Sequence, residues 1–415
     1  MSTKIILTEG ETRMEMQQVN LAIVGCGWIA DRHIEAYQWM WENNLKYFNI
    51  VAICDLMEDA AKLRAERIDK FQEMRPQVYT DLERMLSQAK DIDAVDVCTH
   101  RHDVIAIPGL EANKNVTIEK PFGFTIKECQ NVMNAVKPGK VLSIAEGMRR
   151  TPEARTAKWC IDKGMIGKPR LLFWNEISWW THYRDWRHHK LQAGGGGVLD
   201  VGVHFVNLWR YLLGEAEEVF AITRTFEPYK YFEPPHRPYN YPYTKIYKET
   251  KVEGPIDKIE VDVEDTALSF IKFENDVLLE WTLTSAAPRK EFGYQILYGS
   301  EGCIDYGAGK IYSEGKEYEL SQLREEMMKS LDEETKERFF PGGSTSQFVV
   351  ELTDFAQAVL KKRKPEIDGM EGMKDVAVCM AVYESSALNQ LVKLSDIESR
   401  KIENYQREIN EALGI

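Results

Sequence analysis

The chain has 415 residues, 44% of them hydrophobic and 29% charged, an ordinary balance for a soluble globular protein and enough length for two domains with substantial cores. Its formal charge of −13 argues against a nucleic acid or an anionic membrane as partner, because both require basic surface, while leaving room for a local basic pocket. Seven scattered cysteines, odd in number and without a Cys-x-x-Cys pair, fit a reducing compartment, and the expected location is cytoplasmic.

Residues 1–18 read as a polar amino-terminal extension that lacks the apolar core of a signal peptide, and no later stretch approaches the ~18 apolar residues of a transmembrane helix. Leu21-Ala22-Ile23-Val24 predicts a buried strand, Gly25-Cys26-Gly27-Trp28-Ile29-Ala30 follows at once, and residues 31–41 predict a helix. Gly25 permits a tight turn, Gly27 lets the backbone approach a pyrophosphate, and the small Ala30 allows close helix–strand packing. Trp28 and Ile29 then lie at the helix N-terminus, where N–H groups and the dipole favour phosphate. A second strand, 50–54, ends in Asp55, whose carboxylate can accept hydrogen bonds from both adenosine ribose hydroxyls and would repel a 2′-phosphate. The pattern is that of a dinucleotide site preferring NAD.

Further strands at 94–98, 116–118 and 141–145 alternate with helices at 104–112 and 126–136, which implies right-handed crossovers and a doubly wound parallel sheet over residues 19–148. Cys26, Cys54 and Cys98 fall near strand ends as small packing residues. Glu119-Lys120-Pro121 follows the strand 116–118, and ligands of such sheets bind beyond the carboxyl ends of the strands, so Lys120 is expected beside the cofactor. Its ammonium can donate to a substrate oxygen and share its proton, on a backbone stiffened by proline; the alternative is a surface lysine paired with Glu119.

Residues 149–415 read as a second, α+β domain. Thr151-Pro152-Glu153 starts a helix ending near Gly164. Extended segments at 169–180, 217–226, 261–273, 276–286 and 292–298 then follow with few helices between them, which predicts an open, mostly antiparallel sheet. Residues 227–258 form an insert in which Pro228, Pro234, Pro235, Pro238 and Pro242 would disrupt pairing. Residues 316–338 predict an exposed charged helix, 346–361 and 370–390 packed helices, and 395–413 a polar helical tail that is either a solvated face or an oligomer contact.

In the second domain, four glycines at 194–197 precede Asp200 and His204. On one continuous helix these two share a face, so the carboxylate can orient the imidazole for proton abstraction from an alcohol; a structural helix with one satisfied histidine is the alternative. The segment 178–189 interleaves Trp179, Trp180, His182, Tyr183, Trp186 and Arg187, and aromatic faces among hydrogen-bonding groups suit sugar rings as well as a core or an interface. His100-x-His102 and His188-His189 lack matching cysteine or carboxylate spacing, so no metal is expected.

On Gly25–His33, Glu111–Val116 leading into Glu119-Lys120-Pro121, Met165-Ile166-Gly167, Gly195–His204, Val263–Ala267 and Tyr298–Gly302, the chain resembles the Gfo/Idh/MocA family of glucose–fructose oxidoreductase, inositol dehydrogenase and their relatives, from about residue 19 to 395. The resemblance implies a Rossmann domain, a domain with an open sheet through which many members form dimers or tetramers, and hydride transfer between a nicotinamide and a sugar, polyol or related hydroxyl. It assigns catalysis to Lys120, Asp200 and His204, puts Trp186-Arg187 near the nicotinamide, His102 toward the adenylate or ribose, Thr99 and Glu119 with the cofactor, and Arg149 before the proline-started helix. Asn207 stands where inositol dehydrogenase-like members often carry an acid, which tells against an inositol substrate. With Arg149, Trp179, His182 and Tyr183, it is expected to face the substrate.

The resulting expectation is an NAD-dependent oxidoreductase acting on a secondary hydroxyl of a sugar, glycoside or polyol. Two alternatives stand beside it: an NAD-dependent glycoside hydrolase working through transient oxidation of a ring hydroxyl, and a non-catalytic NAD-binding sensor.

Overall fold

The computed structural model describes residues 18–231, 258–288 and 290–415. Six parallel strands, β1 (Val19–Val24), β2 (Phe48–Cys54), β3 (Gln77–Tyr79), β4 (Ala94–Val97), β5 (Asn115–Glu119) and β6 (Leu142–Ala145), form one sheet in the order β3-β2-β1-β4-β5-β6. Strands buried on both faces read as unbroken apolar runs, as in Leu21–Val24, and the strand order reverses between β1 and β4, opening the crevice in which such sheets take ligands. The helices start where short polar side chains cap them: Thr125 accepts the Glu128 N–H and Thr151 the Ala154 N–H, each at 3.2 Å, with Pro152 opening the second helix. The three-residue β3 carries too little apolar pattern to be read from sequence.

The packing of this unit does not end at residue 148. The helix Gln347–Lys361 returns to it, and its Val349, Leu352 and Phe355 share one core with Leu21 and Ile23 of β1 and with Ile34 of the helix Trp28–Glu42. The apolar stripe of that helix covers a sheet face that no nearer segment supplies.

The second sheet has nine strands in the order β16-β15-β14-β13-β7-β12-β11-β8-β17. They are β7 (Pro169–Ile177), β8 (Ala216–Arg224), β11 (Thr266–Phe273), β12 (Leu278–Thr284), β13 (Phe292–Gly299), β14 (Gly302–Asp305), β15 (Lys310–Ser313), β16 (Lys316–Glu319) and β17 (Val392–Lys393). Neighbours are antiparallel except β7 and β12. Along β11, Ala267, Ser269, Ile271 and Phe273 point into the core while Leu268 and the 61% exposed Phe270 face outward, the alternation expected of a sheet covered on one side. The covered side meets the helices Gly202–Leu213 and Gly369–Leu388, where Trp209 lies edge-on to Trp174 and Trp281 at centroid distances of 5.6 and 5.1 Å.

Three expectations change. Residues 316–338 are not one helix: Lys316–Glu319 is strand β16, and the helices Leu320–Ser330 and Glu333–Phe339 are separated at Asp332, whose side chain caps the second by accepting the Thr335 N–H at 2.7 Å. The insert is anchored by pairing of its ends, β9 (Tyr229–Tyr231) with β10 (Lys258–Glu260), while Pro234, Pro235, Pro238 and Pro242 lie outside the described residues. The tail is no solvated face. Its helix Gln406–Leu413 docks on the first unit, where Asn410 Oδ1 accepts the Thr125 hydroxyl at 2.6 Å and Gln406 Oε1 accepts the Ile126 N–H at 2.9 Å. Among the described residues no helix is long and apolar enough to cross a membrane.

Two buried ion clusters bind the helices together. Arg210 donates to Asp375 Oδ1 at 2.5 Å, to the Glu371 carbonyl at 3.0 Å and to both Glu215 oxygens at 3.0 Å. Removing one partner of such a cluster strands the others, so Arg210→Met is expected to cost about 3–5 kcal/mol of stability in urea unfolding. Arg155 grips Glu366 with two bonds of 2.8 and 2.7 Å. Burial alone would raise the Glu366 carboxyl, but Arg155 outweighs it and pulls the group down to about 2. The folded value lies below the unfolded one, so the stability it contributes is full above the ordinary glutamate range and is lost as pH falls toward 2. Glu366→Gln should therefore narrow the difference in urea midpoint between about pH 5 and about pH 3.

Candidate active site

At the carboxyl end of β1, Gly25 turns the chain with φ of 93°, and a Cβ there would come within 2.8 Å of the Cys98 carbonyl, so only glycine fits. No side chain caps the helix Trp28–Glu42 at Gly27, as expected of a helix end that receives phosphate. Asp55 closes the turn from the end of β2: one carboxylate oxygen accepts the Cys26 N–H at 2.7 Å and the other the Met57 N–H at 2.8 Å. Half-exposed Trp28 carries the Arg32 guanidinium 5.6 Å from its ring centre, Ile29 follows it, and the Thr99 methyl stands against Gly25. Gly25, Asp55 and Thr99 thus lie together at the carboxyl ends of β1, β2 and β4, and Gly27, Trp28 and Ile29 open the helix that follows, an arrangement that fits a dinucleotide.

Two residues expected there face inward instead. His102 is buried at the start of the helix Asp103–Glu111, in contact with the Pro121 backbone, and burial pushes its imidazole down to about 4; it braces the Lys120-Pro121 turn from beneath and cannot line a ribose. Glu119 is also buried, with Oε1 on His33 Nε2 at 2.8 Å and Oε2 accepting the Lys120 N–H at 3.2 Å. His33 Nδ1 meets Asp96 at 2.8 Å, and Tyr37 donates to the same oxygen at 2.8 Å. Among the described residues the possible metal groupings both centre on this histidine. Burial opposes its charge, but Asp96 and its other neighbours hold it well above the ordinary value, so the ring serves as counter-ion to the two carboxylates it joins.

On the substrate side, Lys120 Nζ donates to the Asp200 carbonyl at 2.7 Å and to its carboxylate at 3.3 Å, and Arg187 Nε lies 3.6 Å from the other carboxylate oxygen. Burial would raise the Asp200 carboxyl; Lys120 and Arg187 reverse this and lower it. Arg187 lies over Trp186 at 4.4 Å, and Trp186 packs on His100 at 4.9 Å, so the loop after β4 positions this pair.

Asp200 does not orient His204. The glycine-led helix Gly197–Asp200 is a single turn that breaks at Val201 before Gly202–Leu213 begins. A Cβ at Gly202 would sit 2.5 Å from the Trp281 ring, so the second helix begins in close contact with that tryptophan. His204 Nδ1 instead bonds Glu146, with distances of 2.8 and 2.7 Å to its two oxygens. Glu146 directly follows β6, and its position at a strand's carboxyl end was the available signal. The glycine segment is held by another unforeseen residue. Glu264 accepts the Gly196 and Val198 N–H groups, each at 2.8 Å, and the Tyr383 hydroxyl at 2.9 Å, while burial pushes its carboxyl up to about 7.

Arg149 and Asn207 do not face a substrate. Asn207 is 0% exposed, accepts from Arg149 Nε at 2.8 Å and donates to Asp375 at 2.6 Å; the buried Asp375 requires those donors. Trp179, His182 and Tyr183 form the edge beside β9. Trp179 pairs with Ala286 and His182 with Tyr231, and the Tyr183 hydroxyl shares a hydrogen bond of 3.0 Å with His189 Nε2.

Residues 19–146 match the oxidoreductase family model with an NAD-binding Rossmann fold, and residues 154–305 match the GFO/IDH/MocA C-terminal domain. Levoglucosan dehydrogenase of Pseudarthrobacter phenanthrenivorans is 29% identical over 304 residues, 70% of this chain and 73% of that protein. D-glucoside 3-dehydrogenase of Escherichia coli is 26% identical over 290 residues, 67% of this chain and 73% of the relative. A solved structure of levoglucosan dehydrogenase with NADH superposes with a TM-score of 0.71 at 22% identity, covering 91% of this chain and 99% of that one. With both of its domains matched in order, the chain belongs to the GFO/IDH/MocA family of oxidoreductases, and its amino-terminal domain is an NAD-binding Rossmann fold.

Proposed function

We propose that the chain is an NAD-dependent dehydrogenase that oxidises a secondary hydroxyl of a sugar or glycoside. The observation that carries this reading is the pairing of two proton-handling groups with separate carboxylates: Lys120 with the half-buried Asp200, and His204 with the buried Glu146. The names of the curated relatives, a levoglucosan and a D-glucoside dehydrogenase, support a carbohydrate substrate. In the oxidative direction His204 accepts the hydroxyl proton, and Lys120 donates to the same oxygen and polarises the forming carbonyl. Asp200 keeps the ammonium in place, and Trp186 and Arg187 close the side of the crevice. The bound nicotinamide supplies the hydride acceptor. Retention of Lys120, Asp200 and His204 together speaks for catalysis over sensing, and the dehydrogenase relatives speak for net oxidation over hydrolysis.

The location follows from the same reading: cytoplasmic, with seven cysteines that all remain free. The assembly is a homo-oligomer in which the open sheet face, with Leu171, Leu268, Phe270, Leu278 and Phe292 exposed, meets the same face of a second copy. Residues 19–148 serve as the cofactor domain and 149–415 as the substrate and assembly domain, apart from the helix Gln347–Lys361.

A screen of sugars and glycosides with NAD, following NADH absorbance and released aglycone together, tests the reaction; aglycone release without net NADH would mean hydrolysis. Lys120→Ala and His204→Ala are each expected to lower turnover ~10²–10⁴-fold while NAD still binds, and near-normal turnover in either would remove its role. NAD should bind more tightly than NADP by about 1–3 kcal/mol, since Asp55 would face the 2′-phosphate. Titration calorimetry with both cofactors measures the gap, Asp55→Ser should narrow it, and equal affinities would refute the assignment.

A further inference from the structure

We propose that Glu146 is the positioning residue for His204, fixing its ring and stabilising the charge that the ring gains, a part that Asp200 does not play. The inference rests on the reading of His204 as the base. Glu146 is 1% exposed, so its carboxylate has protein groups in place of water. It meets His204 Nδ1 at 2.8 and 2.7 Å through its two oxygens, and Oε1 also accepts the Met148 N–H at 2.8 Å. The backbone contact fixes the carboxylate, and the carboxylate fixes the ring.

An ionised carboxylate only accepts, so the hydrogen sits on Nδ1 and the lone pair is left on Nε2. That is the tautomer a base needs. When the substrate proton arrives on Nε2, the imidazolium forms against an anion already in place, within a medium of low dielectric. Burial would raise the Glu146 carboxyl, but the charge of a protonated His204, its hydrogen bond and the Met148 N–H lower it below the ordinary range. The other charged or titratable groups facing Glu146 are Lys120 at the end of β5, Glu351 on the helix Gln347–Lys361 and Cys379 on the helix Gly369–Leu388. Asp200 spends its carboxylate on Lys120 and Arg187, at 3.3 and 3.6 Å.

Glu146→Gln keeps the shape and removes the charge. With the sugar that the screen finds oxidised fastest, kcat should fall ~10–10²-fold with KM for NAD unchanged. The acid limb of kcat/KM should move to lower pH, because the ring loses the anion that faces it. Glu146→Asp, which retains the anion, should keep the acid limb near its original place at reduced kcat, and Asp200→Asn should lower kcat without moving that limb. Nitrogen-15 spectra of labelled histidine in the NAD complex, with His204→Asn identifying the signal, read the same displacement without turnover. If Glu146→Gln leaves the limb and the imidazole titration in place, or Asp200→Asn moves them in its stead, the proposal fails. Full turnover in His204→Ala would instead remove the base assignment, while the imidazole titration would still decide whether Glu146 holds the ring.

Discussion

Carboxylates buried at the carboxyl ends of β4, β5 and β6 constrain everything around them. Asp96, Glu119 and Glu146 are removed from water, and an ion so placed costs several kcal/mol unless cations and N–H donors surround it. The chain meets the demand with His33 between Asp96 and Glu119, and with His204 on Glu146. One further acid, Glu351, escapes by staying neutral: burial, then the nearby Glu119, pushes its carboxyl up to about 8, although Arg150 at 3.7 Å opposes the shift. His204, assigned to chemistry, is therefore also the N–H donor on which a buried carboxylate of the core depends.

The same constraint separates two proton-handling units. Lys120 works against Asp200, which Arg187 also approaches, so this carboxylate serves a mostly cationic environment and remains ionised. His204 works against Glu146, which it neutralises only when protonated. On the proposed mechanism, the lysine donates to the substrate oxygen throughout while the histidine changes state. A single carboxylate shared by both would tie their protonation together; two carboxylates on different elements, one after β6 and one in the turn Gly197–Asp200, keep them independent.

How much of this was legible in sequence depends on how far each feature depends on tertiary contact. The parallel sheet was legible because apolar runs such as Leu21–Val24 lead directly into glycine turns or charged strand ends, and the open sheet because β11 alternates along its length. The four-residue strands β14 to β16 were not, since a hairpin of that size carries almost no periodicity. Asp200 and His204 were recognised, but their pairing was misjudged because the partner of His204, Glu146, comes from a distant segment that no local pattern shows. Arg149 and Asn207 were placed at the substrate, yet the buried Asp375 claims Asn207, and through it Arg149. Glu146 was passed over because its partner lies on another element, far along the chain.

The carboxy-terminal tail shows why the two halves of the site must be fixed to each other. Lys120 belongs to the cofactor unit and Asp200 to the other, and their 2.7 Å bond is meaningful only if the units keep one spacing. Tyr405 stacks on Tyr383 at 4.4 Å and 7°, and the Tyr383 hydroxyl donates to Glu264 and accepts the Gly196 N–H at 3.0 Å. On the helix that starts at the next residue, Gln406 and Asn410 bond Ile126 and Thr125, so the tail joins the glycine segment that leads to Asp200 with the first helical turn after the Lys120 strand. Gln130 adds a bond to the Glu398 carbonyl at 3.1 Å. A proton or hydride transfer tolerates only small errors of position, and a polar clasp at the edge of both units holds that position.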